Sequence, residues 1–76
     1  MFRTLVKTEA VSIENRAITS DADVLDAARA AFARDHNVRA IIRADRRVSW
    51  GRVVHVIDLV KQGGIAKLAF GVDAVP

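Results

Sequence analysis

His55 and Asp58 lie three residues apart in a stretch with helical periodicity, which places an imidazole and a carboxylate one turn from each other. A general base and the acid that orients it have that composition. The chain contains no Cys and no Tyr, and the nearest hydroxyl, Ser49, precedes the helix, so nothing beside His55 is placed to act as a nucleophile. Enzyme activity is therefore not expected. His36, His55 and the acidic residues show no metal-ligand spacing, and neither a metal nor another cofactor is expected. Gly63-Gly64 follows a helical stretch and precedes a strand, whereas a phosphate-cradling loop runs from strand to helix. The pair reads as a helix stop that supplies φ > 0. Asp45 to Gly51 does run from strand to helix, with Arg46, Arg47 and Arg52 near the N–H groups that open the helix. Asp45, Arg46, Arg47, Trp50 and Gly51 form the candidate partner- or anion-binding turn. Its purely structural role would be an Asx turn at Asp45 and a Trp50 staple into the core.

The elements that must hold this turn are legible. Residues Phe2 to Ile13 alternate loosely between apolar and polar, as a strand does, with Leu5, Lys7 and Glu9 on one parity and Val11 and Ile13 beside Ser12 and Glu14. Glu14-Asn15-Arg16 reads as a turn, and Ala17 to Thr19 returns as a short strand. Ser20 caps a first helix with Asp21 and Asp23 in its first turn, where the helix dipole favours negative charge. Val24, Leu25, Ala28, Ala31 and Phe32 form its apolar stripe, and His36-Asn37 ends it, with Asn37 as the C-terminal cap. Strand Val38 to Ala44 sends Val38, Ala40, Ile42 and Ala44 inward and Arg39, Ile41 and Arg43 outward. Ser49 caps a second helix, Trp50 to Gln62, expected to pack through Trp50, Val53, Val54, Ile57 and Val60. In strand Ile65 to Phe70, Ala66, Leu68 and Phe70 are expected to face inward. The pattern predicts a two-layer α+β domain of ββαβαβ type, a mixed sheet with both helices on one face.

Length and composition bound what such a domain does. Seventy-six residues make a single domain, 1–76, small enough that support from an oligomeric partner is expected. Hydrophobic content of 51% with 28% charged residues is that of an ordinary globular chain. The net charge is +3, and nine of the 12 basic residues are Arg, dispersed among acids. No segment has the roughly 20 apolar residues of a membrane span, and the N-terminus lacks the apolar run of a signal peptide, so the chain as given reads as soluble.

From Ile42 the residues run I-R-A-D-x-x-V-x-W-G-x-V-V-x-V-I-D-x-V-K-x-x-G-I-x-K-L-A. This order resembles the periplasmic domain of the ExbD/TolR biopolymer-transport family. The elements that carry the likeness are Ala44-Asp45, Trp50-Gly51, Asp58, Gly64-Ile65 and Lys67-Leu68. The upstream hairpin and capped helix fit as well, so the resemblance extends over almost the whole chain. It implies a dimerising, non-catalytic domain of a proton-motive-force-driven inner-membrane complex of the TonB-ExbB-ExbD or Tol-Pal type. Its partners would be ExbB/TolQ-type and TonB/TolA-type proteins, with peptidoglycan as a further ligand in some members. Family members carry an N-terminal transmembrane helix whose aspartate takes part in proton coupling. No counterpart of it is expected within these 76 residues, and neither Asp45 nor Asp58 is expected to inherit that role. Trp50 stands where the family more often has Tyr, and Gly63 where Ala is common. The alternative is a small basic nucleic-acid-binding α+β domain, resting on Arg39, Arg43, Arg46 and Arg47. That reading lacks an aromatic stacking platform and a GxxG loop.

Overall fold

The structure, a computed structural model, describes residues 2–7, 11–18 and 20–73. In chain order the elements are β1 (Phe2–Val6), β2 (Val11–Ile13), β3 (Arg16–Ile18), α1 (Asp21–Arg34), β4 (Arg39–Asp45), α2 (Trp50–Gln62) and β5 (Lys67–Asp73). The strands form one mixed sheet in the order β3-β2-β1-β4-β5. Hairpin neighbours β1–β2 and β2–β3 are antiparallel, while β1–β4 and β4–β5 are parallel, each of β4 and β5 being reached through a helix. Both helices pack on one face, giving the expected two-layer α+β domain.

The alternation read across residues 2 to 13 divides into two strands. Residues 8–10 lie outside the described residues, as does Thr19, which was expected to end the next strand. The turn between β2 and β3 is Glu14-Asn15, both with positive φ (51° and 68°), the mirror-image hairpin turn whose twist suits two antiparallel strands. Ile13 and Arg16 pair directly across it.

Helix α1 begins as its sequence implies, with the Ser20 hydroxyl accepting from the Asp23 N–H at 3.2 Å. It ends earlier than expected, at Arg34. Asp35 adopts an extended conformation, and its carboxylate accepts from the Asn37 N–H at 2.9 Å. An aspartate that can bond backbone two residues on competes with another helical turn, and this makes the Asn37 cap unnecessary.

The inward face of β4 is as read from the sequence: Val38, Ala40, Ile42 and Ala44 are buried, and Arg39 and Arg43 are exposed. Two other expectations are corrected. Helix α2 buries Val53, Val56, Leu59 and Val60, with Ile57 half-buried, while Trp50 and Val54 stay exposed. Six apolar residues between Val53 and Val60 span more than one stripe, so two helical phases satisfy the periodicity. Contact with α1 selects between them. Gly63, at the end of α2, lies so close to α1 that an added Cβ would sit 2.5 Å from the Ala28 Cβ. Gly63 itself has an ordinary helical φ of −71°; only Gly64 takes positive φ, at 110°. The second correction concerns the last strand, expected over Ile65 to Phe70: it runs from Lys67 to Asp73, and ahead of it Ile65 fills the core while Ala66 is exposed.

Thr4 is the one buried polar side chain of the described core, 2% exposed in the middle of the sheet, and its Oγ1 has no hydrogen-bond partner among the described residues. Thr4→Val keeps the β-branched shape and removes an unsatisfied hydroxyl. It is expected to stabilise the domain by about 1 kcal/mol, measured as a higher denaturant midpoint with an unchanged slope.

Candidate functional site

The strand-to-helix turn after β4 is held by its own side chains. Asp45 ends the strand, and its Oδ1 accepts from the Arg47 backbone N–H at 2.9 Å, the Asx geometry expected of it. The Arg47 guanidinium folds back onto the same carboxylate, with Nε 3.2 Å from Oδ1 and one terminal nitrogen 3.0 Å from Oδ2. This fork is the strong bidentate form of the pair. The Arg47 side-chain bonds, followed by its backbone N–H, hold the Asp45 carboxyl down to about 2, and the carboxylate in turn raises the Arg47 pKa. Because the folded-state pKa is depressed, the stabilisation is present above the unfolded value and is lost as pH falls through the folded one. An NMR titration of the Asp45 carboxyl is expected to centre near 2. Acid unfolding of Asp45→Asn should lack the part of the pH dependence between about 4 and 2.

The next link is Ser49, whose hydroxyl accepts from the Arg52 N–H at 3.3 Å and caps α2. The Arg52 Nε donates 2.8 Å to the Lys7 carbonyl, tying the helix start to the end of β1. His55 Nε2 lies 2.6 Å from Asp21 Oδ2, joining α2 to the first turn of α1. Asp58 turns away from His55 and accepts from Gln62 at 2.8 Å. The base–orienter pair considered from spacing is thus not assembled, and His55 braces two helices. Among the described residues no three His, Asp or Glu side chains gather as a metal site.

Of the five residues expected at the turn, Asp45 and Arg47 are engaged with each other, and Arg46 points outward as an exposed cation. Trp50 and Gly51 open α2 on its exposed side. The Trp50 staple into the core is a correction: the indole is 64% exposed and meets only the rim of the sheet, edge-to-face on Phe70 with ring centres 5.6 Å apart. Phe70 lies opposite Ile42 in the β4–β5 register, and Val72 lies opposite Ala44, so both point to the helix side. Yet Phe70 remains 41% and Val72 57% exposed, and Val54, one turn along α2 from Trp50, is 45% exposed. Helix α2 covers the sheet only as far as β4 at this end, which leaves an apolar strip of Trp50, Val54, Phe70 and Val72 along β5.

Among the described residues strand β5 is also the sheet's edge, pairing on one side only. A seven-residue strand with one unpaired backbone row and an apolar flank is built to accept another strand. The opposite edge, β3, is three residues long. Gly51 fits the same surface. A Cβ there would meet nothing within 4 Å, and its φ is not positive, so the domain alone gives no steric or conformational reason for glycine.

No family model matches the sequence, and no curated protein matches it either.

Sequence reasoning found Trp50 and Gly51 but placed Trp50 in the core, and it missed Val54, Phe70 and Val72 as surface residues. The missing signal is the α2 phase, which depends on packing against α1. Among the described residues no helix is long and apolar enough to cross a membrane.

Proposed function

We propose that this domain is a non-catalytic interaction module of the ExbD/TolR kind, working at the periplasmic side of a proton-motive-force-driven inner-membrane complex. One observation supports it most: the open β5 edge runs beside an exposed strip of Trp50, Val54, Phe70 and Val72. Two copies pairing β5 to β5 about a two-fold axis extend the sheet and bring the two strips together, an isologous contact in which each patch meets itself. The same edge takes an extended segment of a TonB/TolA-type partner by strand addition, with Trp50 and Phe70 as the anchoring aromatics. The residue order from Ile42 to Ala69 carries the resemblance to that family, and the two-layer α+β fold is compatible with it, although three strands rather than two precede α1.

The experiment is sedimentation equilibrium over a wide concentration range, with a TonB-type periplasmic peptide added in a second series. The expected result is a concentration-dependent dimer that Phe70→Lys abolishes with the fold intact by circular dichroism. A monomer at every concentration together with no peptide binding overturns the reading.

A further inference from the structure

Among the described residues no helix covers the second face of the sheet, and its chemistry is distinct. Side-chain alternation and register place Arg3, Leu5 and Lys7 of the β1 segment, Arg39, Ile41 and Arg43 of β4, and Lys67 and Ala69 of β5 on it. Arg39 and Lys67 are direct cross-strand partners. Like charges opposed in this way repel and weaken a sheet. Neither residue has an ion-pair partner among the described residues. Arg3 lies one row on, beside Ile41. Two acids adjoin this face: Glu14, which lines its hollow and keeps its charge while accepting from the Arg3 backbone N–H at 3.1 Å, and Asp45, which is paired with Arg47. The cations Arg3, Lys7, Arg39, Arg43 and Lys67 outnumber them. Parallel strands such as β1, β4 and β5 are usually covered on both faces, so a repulsive face that no described helix covers calls for an anionic cover.

Leu5 and Ile41, both half-buried, sit between the cations, and the face is dished into a hollow of about 640 Å3 lined in part by Arg3, Leu5, Lys7, Ser12, Ile41 and Arg43. The backbone of β1 and β4 beneath is engaged in strand pairing on both sides, so this face offers charge and apolar surface with few groups for reading a sequence. None of the four aromatic rings stands on it: Phe2 is buried, Phe32 stacks with His36 on the helix side, and Trp50 meets Phe70 there too. A single-stranded nucleic acid would lack a stacking platform. Headgroup phosphates above a shallow apolar centre match what is present.

We propose that the helix-free face of the sheet docks on an anionic phospholipid surface, with Arg3, Arg39 and Lys67 meeting headgroup phosphates and Leu5 and Ile41 at the apolar centre. This surface is separate from the β5 edge and its strip, so it stands or falls independently of the family assignment.

The test is co-sedimentation of the chain with vesicles of phosphatidylcholine alone and of phosphatidylcholine mixed with phosphatidylglycerol. Binding is expected only to the mixed vesicles and only at low salt, since near-molar salt screens the interaction. Arg39→Glu places an acid opposite Lys67, so its melting temperature should rise while vesicle affinity falls on the order of tenfold. Phe70→Lys, which disrupts the β5 strip, should leave vesicle binding undiminished. Absence of binding at low salt, or an Arg39→Glu variant that binds as the parent does, overturns the proposal. So does tighter binding to a short oligonucleotide than to the mixed vesicles, because the face would then serve nucleic acid.

Discussion

Replacing Gly63 with alanine is expected to destabilise the domain by about 1–3 kcal/mol, although the backbone there already has a helical φ. A methyl group at that position would lie 2.5 Å from the Ala28 Cβ, 3.0 Å from the Arg29 backbone nitrogen and 3.1 Å from the Ala28 carbonyl carbon. None of these atoms belongs to a flexible side chain that can swing aside. Helix α2 must therefore move off α1, and the gain of up to about 1 kcal/mol in helix propensity from Gly to Ala does not offset that separation. Ala28 is fully buried, so the displacement opens the core. Chemical denaturation of Gly63→Ala, Ala28→Gly and the double variant forms a cycle. A large coupling, with the double variant partly rescued, is the expected result. A stability equal to that of the parent would mean that Gly63 serves only as a helix stop, and the close approach would not matter.

Truncating Ile42 to alanine is expected to cost about 2–5 kcal/mol. The residue is 1% exposed in an interior strand, with Thr4 paired on one side and Phe70 on the other. A domain of 76 residues is expected to hold roughly 4–11 kcal/mol in total. The variant would thus lose a large share of its stability, and its melting temperature should fall by on the order of 10 °C or more. The effect reaches the proposed partner surface as well, because Phe70 rests on the helix-facing side of β5 next to Ile42. Thermal unfolding followed by circular dichroism gives the first number, and sedimentation of the surviving fold gives the second. A loss below 1 kcal/mol would show that the site collapses around the cavity.

What was legible in the sequence follows from local physics. Ser20 and Ser49 mark helix starts because a hydroxyl accepting a first-turn N–H is a local event, and both bonds are present. The two faces of β4 could be read because a two-residue period separates arginines from alanines without any knowledge of neighbours. The turn at Asp45 was legible for the same reason, down to its Asx bond. Long-range choices were not. The phase of α2 depends on Gly63 meeting Ala28, and the exposure of Trp50, Val54, Phe70 and Val72 follows from that phase. The His55–Asp21 bridge joins residues from two helices, and Arg52 reaches a carbonyl at the end of β1. No local pattern announces contacts of that kind. The repulsive Arg39–Lys67 pair is a product of register, which neither strand contains by itself.

The order β3-β2-β1-β4-β5 also sets a schedule for folding. Strand β1 is made long before its parallel neighbour, and Phe2 finds Ala40 half a chain away. The hairpins and helices can form within their own segments, but the middle of the sheet waits on a distant partner and on the loop closure that brings it in. Strand β5 then covers the flank of β4. A nascent or C-terminally trimmed chain that stops before β5 presents β4 as a naked edge carrying Ile42 and Ala44. Such a product would seed aggregation, and quality control in the cell would have to act on it before dilution could.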